Sequence, residues 1–234
     1  MRIRGTVVAA GICGGVAFGL LAPSEAAAQV VAPSAVRDEN WDTVSNITMV
    51  VGAATVALMP RVYYNDPDST VGWKARWHIS QLAPAMTLTV ATLLVDTPIR
   101  NSLESTRPGC TLDETNVAFP DSNCESFGGP STQTFASWSA TGAGVGIFLM
   151  DTFNYSDGKF SVPAFIGNVV VPLSLSIITS IGRSVEPGDA EAYESGGQNV
   201  AGVFPGLGTG LVVGLIYAGL QRPNCGYGNN IICW

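Results

Sequence analysis

The chain has 234 residues, a length that fits one domain. Hydrophobic residues make up 47% and charged residues only 12%, about half the charged share of an ordinary soluble domain, so the composition favours a membrane protein. The formal net charge of −7 argues against nucleic acid, whose phosphates are bound by a surplus of Lys and Arg.

Taken in chain order, Arg2 and Arg4 precede an apolar run from Thr6 to Leu21, and Ala26-Ala27-Ala28 offers a small-residue cleavage site before Gln29. Residues 1–28 therefore read as a signal peptide, or as a signal anchor if they are not cleaved. Residues 29–43 are polar and contain proline, which predicts an exposed linker. Five apolar segments follow, at Val44–Met59, Ile79–Val95, Thr134–Met150, Pro163–Ile181 and Val200–Leu220, and none contains Lys, Arg, Asp or Glu. Each runs for about 16 to 21 residues, near the roughly 20 that a helix needs to cross a bilayer and too long for ordinary strands. The expected fold is all-α: a membrane-embedded bundle of five transmembrane helices, six if the signal is retained, over residues 44–220. Residues 221–234 form a tail rich in Gly, Asn and Cys.

The connections predict the orientation. Residues 61–77 hold Arg61, Lys74 and Arg76 among Tyr63, Tyr64, Trp73 and Trp77, a mixture suited to a membrane interface. Counting crossings puts 61–77 and the turn 154–162 on one face and the loops 99–133 and 182–199 on the other. An exported or signal-anchored N-terminus makes the second face extracytoplasmic, towards the periplasm or exterior of a cell (inner) membrane.

Cys110 and Cys124 flank the loop 99–133 without metal-ligand spacing or a nearby histidine, and predict a disulfide of an exported protein. Cys225 and Cys233 have the same look, but five crossings put them inside. Cys13 lacks a lipoprotein context. No Walker loop, dinucleotide fingerprint or metal cluster is present in the sequence, so no cofactor is expected. Gly202, Gly206, Gly210 and Gly214, extended by Ala218, line one face of the final apolar segment. Such a row lets another helix approach closely, either within this protein or from another membrane subunit.

Three short patterns lie at the ends of these segments. They are Arg100-x6-Arg107-Pro108, then Pro130-Ser131-Thr132-Gln133, then Gly182-Arg183 followed by Gln198-Asn199-Val200-Ala201-Gly202. In this order and placement they resemble the signature motifs of the type 2 phosphatidic acid phosphatase and haloperoxidase superfamily. Those motifs are Lys-x6-Arg-Pro, Pro-Ser-Gly-His and Ser-Arg-x5-His-x3-Asp. The resemblance covers roughly residues 44–220.

It implies a phosphate site made by Arg100, Arg107, Ser131, Thr132, Gln133 and Arg183. Arg can grip phosphate through paired hydrogen bonds, and a helix start offers free N–H groups and a favourable dipole. The departures fall on the catalytic groups. Gln133 stands where the family has its acid histidine and has no proton to give. Counting back from Gln198, which takes the place of the orienting Asp, puts Glu194 at the nucleophilic histidine; without the longer gap, Asp189 takes that place. The one histidine, His78, opens the second segment, while Arg100 follows that segment's end. Twenty-two helical residues would separate them by about 33 Å. Without the family, the same residues read as solvated arginines and a simple helix cap.

The expectation is thus a non-catalytic relative of the lipid phosphate phosphatases that keeps an Arg-lined site for a phosphate or lipid headgroup. One alternative is an active phosphatase using Glu194 or Asp189 as a substituted nucleophile. Another is a structural subunit of a membrane assembly, joined through the glycine row.

Overall fold

A computed structural model describes residues 38–64, 73–76, 79–110, 124, 127–186 and 191–220. The expectations placed on residues 1–28, His78, Asp189, Cys225 and Cys233 lie outside them. The described chain is mostly helical, as composition and segment length predict.

Helix α1 spans Glu39–Leu58. Asp38 caps it by accepting the Asn40 N–H at 2.8 Å, and Glu39 and Asp42 add negative charge to the first turn. Its start lies five residues before the apolar run, so the end of the expected linker is its first turn. It stops at Met59, just before Pro60, which disfavours the helical conformation of the residue ahead of it.

The next stretch departs from the all-helical expectation. Strands β1 (Arg61–Tyr64) and β2 (Trp73–Arg76) pair antiparallel, with Arg61 opposite Arg76 and Tyr64 opposite Trp73. Val62, Tyr63, Tyr64 and Trp73 are β-branched or aromatic types that suit a ribbon.

The second rod is built from short pieces. A 3-10 turn at Ile79–Leu82 leads into α2 (Ala83–Val90), a wider π-type turn at Ala91–Ile99 with Pro98 inside it, and α3 (Arg100–Leu103). Helix α4 (Thr132–Leu149) follows the long loop and continues as a π-type turn over Met150–Asn154. The next rod comprises α5 (Val162–Phe165), a third wide turn at Ile166–Val170 and α6 (Val171–Ser184). Helix α7 spans Gly196–Leu220. Its start is a capping box: Ser195 Oγ accepts the Gln198 N–H at 3.2 Å, and Gln198 Oε1 accepts the Ser195 N–H at 2.8 Å.

Helix α4 occupies the centre and packs on α1, α2, α6 and α7. Thirteen of its residues are buried, among them Ala136, Ala140, Ala143, Gly142 and Gly146, with Ser137, Ser139 and Thr141. The glycine row of α7 lies against it. A methyl group at Gly202, Gly206, Gly210 or Gly214 would meet the α4 backbone at Ser131, Phe135, Ser139 or Ala143. Gly142 and Gly146 reciprocate by admitting the α7 backbone near Leu207 and Leu211. The row is therefore packed on the chain's own α4, the first of the two partners its spacing allowed.

Hydroxyls join the rods. Thr141 and Ser176 share a hydrogen bond of 2.8 Å, Thr48 and Thr179 another of 2.8 Å, and Trp138 Nε1 donates to Ser180 Oγ at 2.9 Å. Large apolar side chains point outward instead: Val50 on α1, Leu93 in the wide turn, Ile178 on α6, and Phe204 (70% exposed) on α7. The helical stretches Val162–Ser184 and Gly196–Leu220, of 23 and 25 residues, are long and apolar enough to cross a membrane.

Candidate functional site

Chain direction gathers the three patterns. Helices α1, α4 and α7 begin at one end of the bundle, where α3 and α6 finish. Hydrogen bonds tie these ends together: the Ser131 N–H donates to the Gln198 carbonyl at 3.1 Å, and the Glu194 N–H to the Arg183 carbonyl at 2.9 Å.

Arg100 opens α3 and is 5% exposed. Its Nη1 donates to Asp96 Oδ1 at 2.8 Å and to Thr132 Oγ1 at 3.3 Å, while Nη2 donates to the Phe127 carbonyl. Thr132 Oγ1 also donates to Asp96 Oδ1 at 3.1 Å. The first pattern thus reaches the second through Asp96, a residue the family resemblance does not use. Arg100 Nε and Gln133 Oε1 are buried without a hydrogen-bond partner. Ser131 is the N-cap of α4, its Oγ accepting the Thr134 N–H at 3.2 Å, so its hydroxyl is engaged as a cap. Arg107 lies half-buried in the turn after α3, where its carbonyl accepts the Cys110 N–H at 3.1 Å. Cys110 and Cys124 are disulfide-bonded, with Cα atoms 5.7 Å apart.

Arg183, 1% exposed near the end of α6, has two carboxylate partners. Nη1 pairs with Asp42 of α1, and Nη2 with Glu194 Oε1 at 3.0 Å. The Tyr193 ring lies 4.5 Å from the guanidinium carbon. Glu194 is fully buried and its Oε2 has no partner, as is also true of Arg183 Nε. Burying such ions is expensive unless they pair, which explains why these carboxylates meet this guanidinium.

Gln198 is held rather than free. Its Nε2 donates to Ser105 Oγ at 2.8 Å and to the Thr106 carbonyl at 2.7 Å. Gly128 and Gly129 crowd its side chain so closely that a methyl group at either would collide with it. Asn199 reaches Thr134, Ser184 and the Ser180 carbonyl, joining α7 to α4 and α6. The structure thus places Arg100 with Thr132 and Arg183 with Glu194, Arg100 holding one carboxylate and Arg183 two. Sequence reasoning missed Asp42 and Asp96. The spacing of Asp96 and Arg100, four residues apart, was the available signal for the second; Asp42 had none.

At the opposite end, Arg61 Nε donates to buried Asp151 Oδ1 at 2.7 Å and Nη1 to the Ala218 carbonyl at 3.4 Å. Tyr155 OH donates to the same carbonyl at 3.1 Å. A cation thus stands where the C-terminal end of α7 leaves carbonyls without helical partners.

Among the described residues this geometry defines a helical protein with two buried arginine–carboxylate centres, Arg183–Glu194 at one end of the bundle and Arg61–Asp151 at the other. Comparison with protein-family models, with curated proteins and with solved structures found no match to the chain.

Proposed function

We propose that this is a non-catalytic membrane protein with a helix arrangement like that of the lipid phosphate phosphatases, retaining an anion site for a phosphate or lipid headgroup at the start of α4. The observation that carries this reading is the pairing of Glu194 with Arg183. Glu194 stands where the resemblance puts the nucleophilic histidine, and it forms a buried ion pair with the arginine that would hold phosphate. Gln133, at the acid position, has no proton to give a leaving alkoxide. Arg183 is engaged by two carboxylates, so the site narrows to Arg100, Thr132 and Gln133, with the Ser131 cap beside them.

The five rods cross the bilayer of a cell membrane, and the site faces the extracytoplasmic side. Support comes from the two long apolar helices and from an interior of small and hydroxyl residues under an apolar exterior. That distribution suits a bundle solvated by lipid, where close packing and hydrogen bonds, rather than apolar burial, join helices.

The test is phosphate release from phosphatidic acid and from an isoprenyl diphosphate by the purified full chain. No turnover by folded protein is expected. Wild-type turnover that is lost in a folded Glu194→Gln variant would support the second reading, a hydrolase using Glu194, whose Oε2 is unpartnered. In that reaction Oε2 attacks phosphorus, the P–O bond to the leaving group breaks, the departing oxygen takes its proton from water, and an acyl phosphate is left for water to hydrolyse.

A further inference from the structure

The Arg100 centre has features that the bare phosphate-site reading does not use. Asp96 accepts from Arg100 and from Thr132, and so lies where the start of α4 would attract an anion. Its side chain is 46% exposed, against 6% for Arg100, so the carboxylate can swing away while the guanidinium stays fixed. Arg100 Nε, in the same rigid plane as the atoms facing Thr132, is buried without a partner, and Gln133 Oε1 is likewise unpartnered. These atoms mark unfilled hydrogen-bonding capacity at the start of an eighteen-residue helix.

Charge then selects the ligand. An incoming phosphate that takes Arg100 must displace Asp96, leaving that carboxylate unpaired beside a new anion. A ligand carrying an ammonium group next to its phosphate avoids this. Its phosphate takes Arg100 and Thr132 while its ammonium takes the released Asp96, so one ion pair becomes two. We infer that the site prefers a zwitterionic phosphate–ammonium group, such as that of an ethanolamine phospholipid, over phosphate alone, and that Asp96 sets this preference. This rests on the anion site proposed above.

The test is calorimetric titration of the detergent-solubilised full chain with O-phosphoethanolamine and with inorganic phosphate. The wild type should bind the zwitterion at least about fivefold more tightly. Asp96→Asn removes both the competitor for Arg100 and the partner for ammonium, so the preference should reverse, with phosphate affinity rising. Arg100→Gln should lose both ligands. A folded wild type that binds both ligands equally, with a ratio unchanged in Asp96→Asn, overturns the selectivity but leaves the anion site standing. Binding of neither ligand overturns both. Repeating the contest with nanodiscs containing phosphatidylethanolamine or phosphatidic acid separates a lipid source from a soluble one: a preference for phosphatidylethanolamine that Asp96→Asn reverses assigns the lipid, and a preference confined to the soluble pair assigns a free ligand.

Discussion

Two arginines in equivalent-looking motif positions have different energetic standing. Arg183 is 1% exposed between Asp42 and a fully buried Glu194. Arg183→Ala leaves Glu194 buried without its cation, and loss of one partner of a buried pair costs about 3–5 kcal/mol. A clear drop in the thermal midpoint of the detergent-solubilised protein is expected. Glu194→Gln keeps the shape and a hydrogen-bond acceptor, and should cost less than Arg183→Ala. Asp96→Asn removes a carboxylate that is half in solvent, where exposed pairs are worth about 0–1 kcal/mol, so its midpoint should stay near the wild type. Equal destabilisation by Arg183→Ala and Asp96→Asn would contradict this ranking. The sequence shows both arginines because each lies just past the end of an uncharged run. It hides the partners of Arg183, because Asp42 is brought to it only by the packing of α1 on α6.

The rods themselves were readable as elements. Runs without charge and longer than any ordinary strand leave helix as the one satisfactory backbone structure, and all five predicted segments fall within helical rods. The ribbon at Arg61–Arg76 was not readable in the same way, because its aromatic and basic residues satisfy an interfacial loop equally well. The wide turns in three rods leave no mark in a hydrophobic pattern of helical period. The glycine row was legible as a close-packing face, but its partner was not, since spacing alone cannot name the opposing helix. The contact gives a sharp contrast. Gly210→Ala drives a methyl group into the Ser139 carbonyl of α4, and overpacking of this kind costs about 1–3 kcal/mol. Gly208 faces open space on the same helix, where Gly→Ala should be neutral or stabilising by up to about 1 kcal/mol. Thermal unfolding of the two variants side by side checks this.

At the scale of the whole molecule, chain direction organises the charges. Three helices start at the motif end, where their N-terminal dipoles favour the carboxylates of Glu39, Asp42 and Glu194. The same three finish at the other end, where Arg61 meets the Ala218 carbonyl. In the five-crossing arrangement proposed above, the two ends lie on opposite sides of the membrane. Asn101 and Asp157 are exposed at the two ends, in α3 and in the turn after α4 respectively. Cysteines introduced singly at these positions, in a background freed of native thiols, should react with a membrane-impermeant thiol reagent in intact cells at position 101 alone. Reaction at both positions would refute the five-crossing arrangement.

The union of α4 with α7 also bears on how the protein is made. Helix α7 has its broadest contact with α4, and only a slight one with α6, the rod synthesised just before it. Until α7 emerges, α4 presents a groove at Gly142 and Gly146, and its Ser139 hydroxyl lacks the Gly206 carbonyl to which it donates. In the bilayer proposed above, lipid tails cannot accept that hydrogen bond, so the nascent chain passes through a stage in which its central helix is sealed on the sides of α1, α2 and α6 and open on the fourth. Assembly in that setting ends with the closing of a seam between distant parts of the chain. A nascent chain stalled before residue 196 should be the form that membrane quality control retains and degrades.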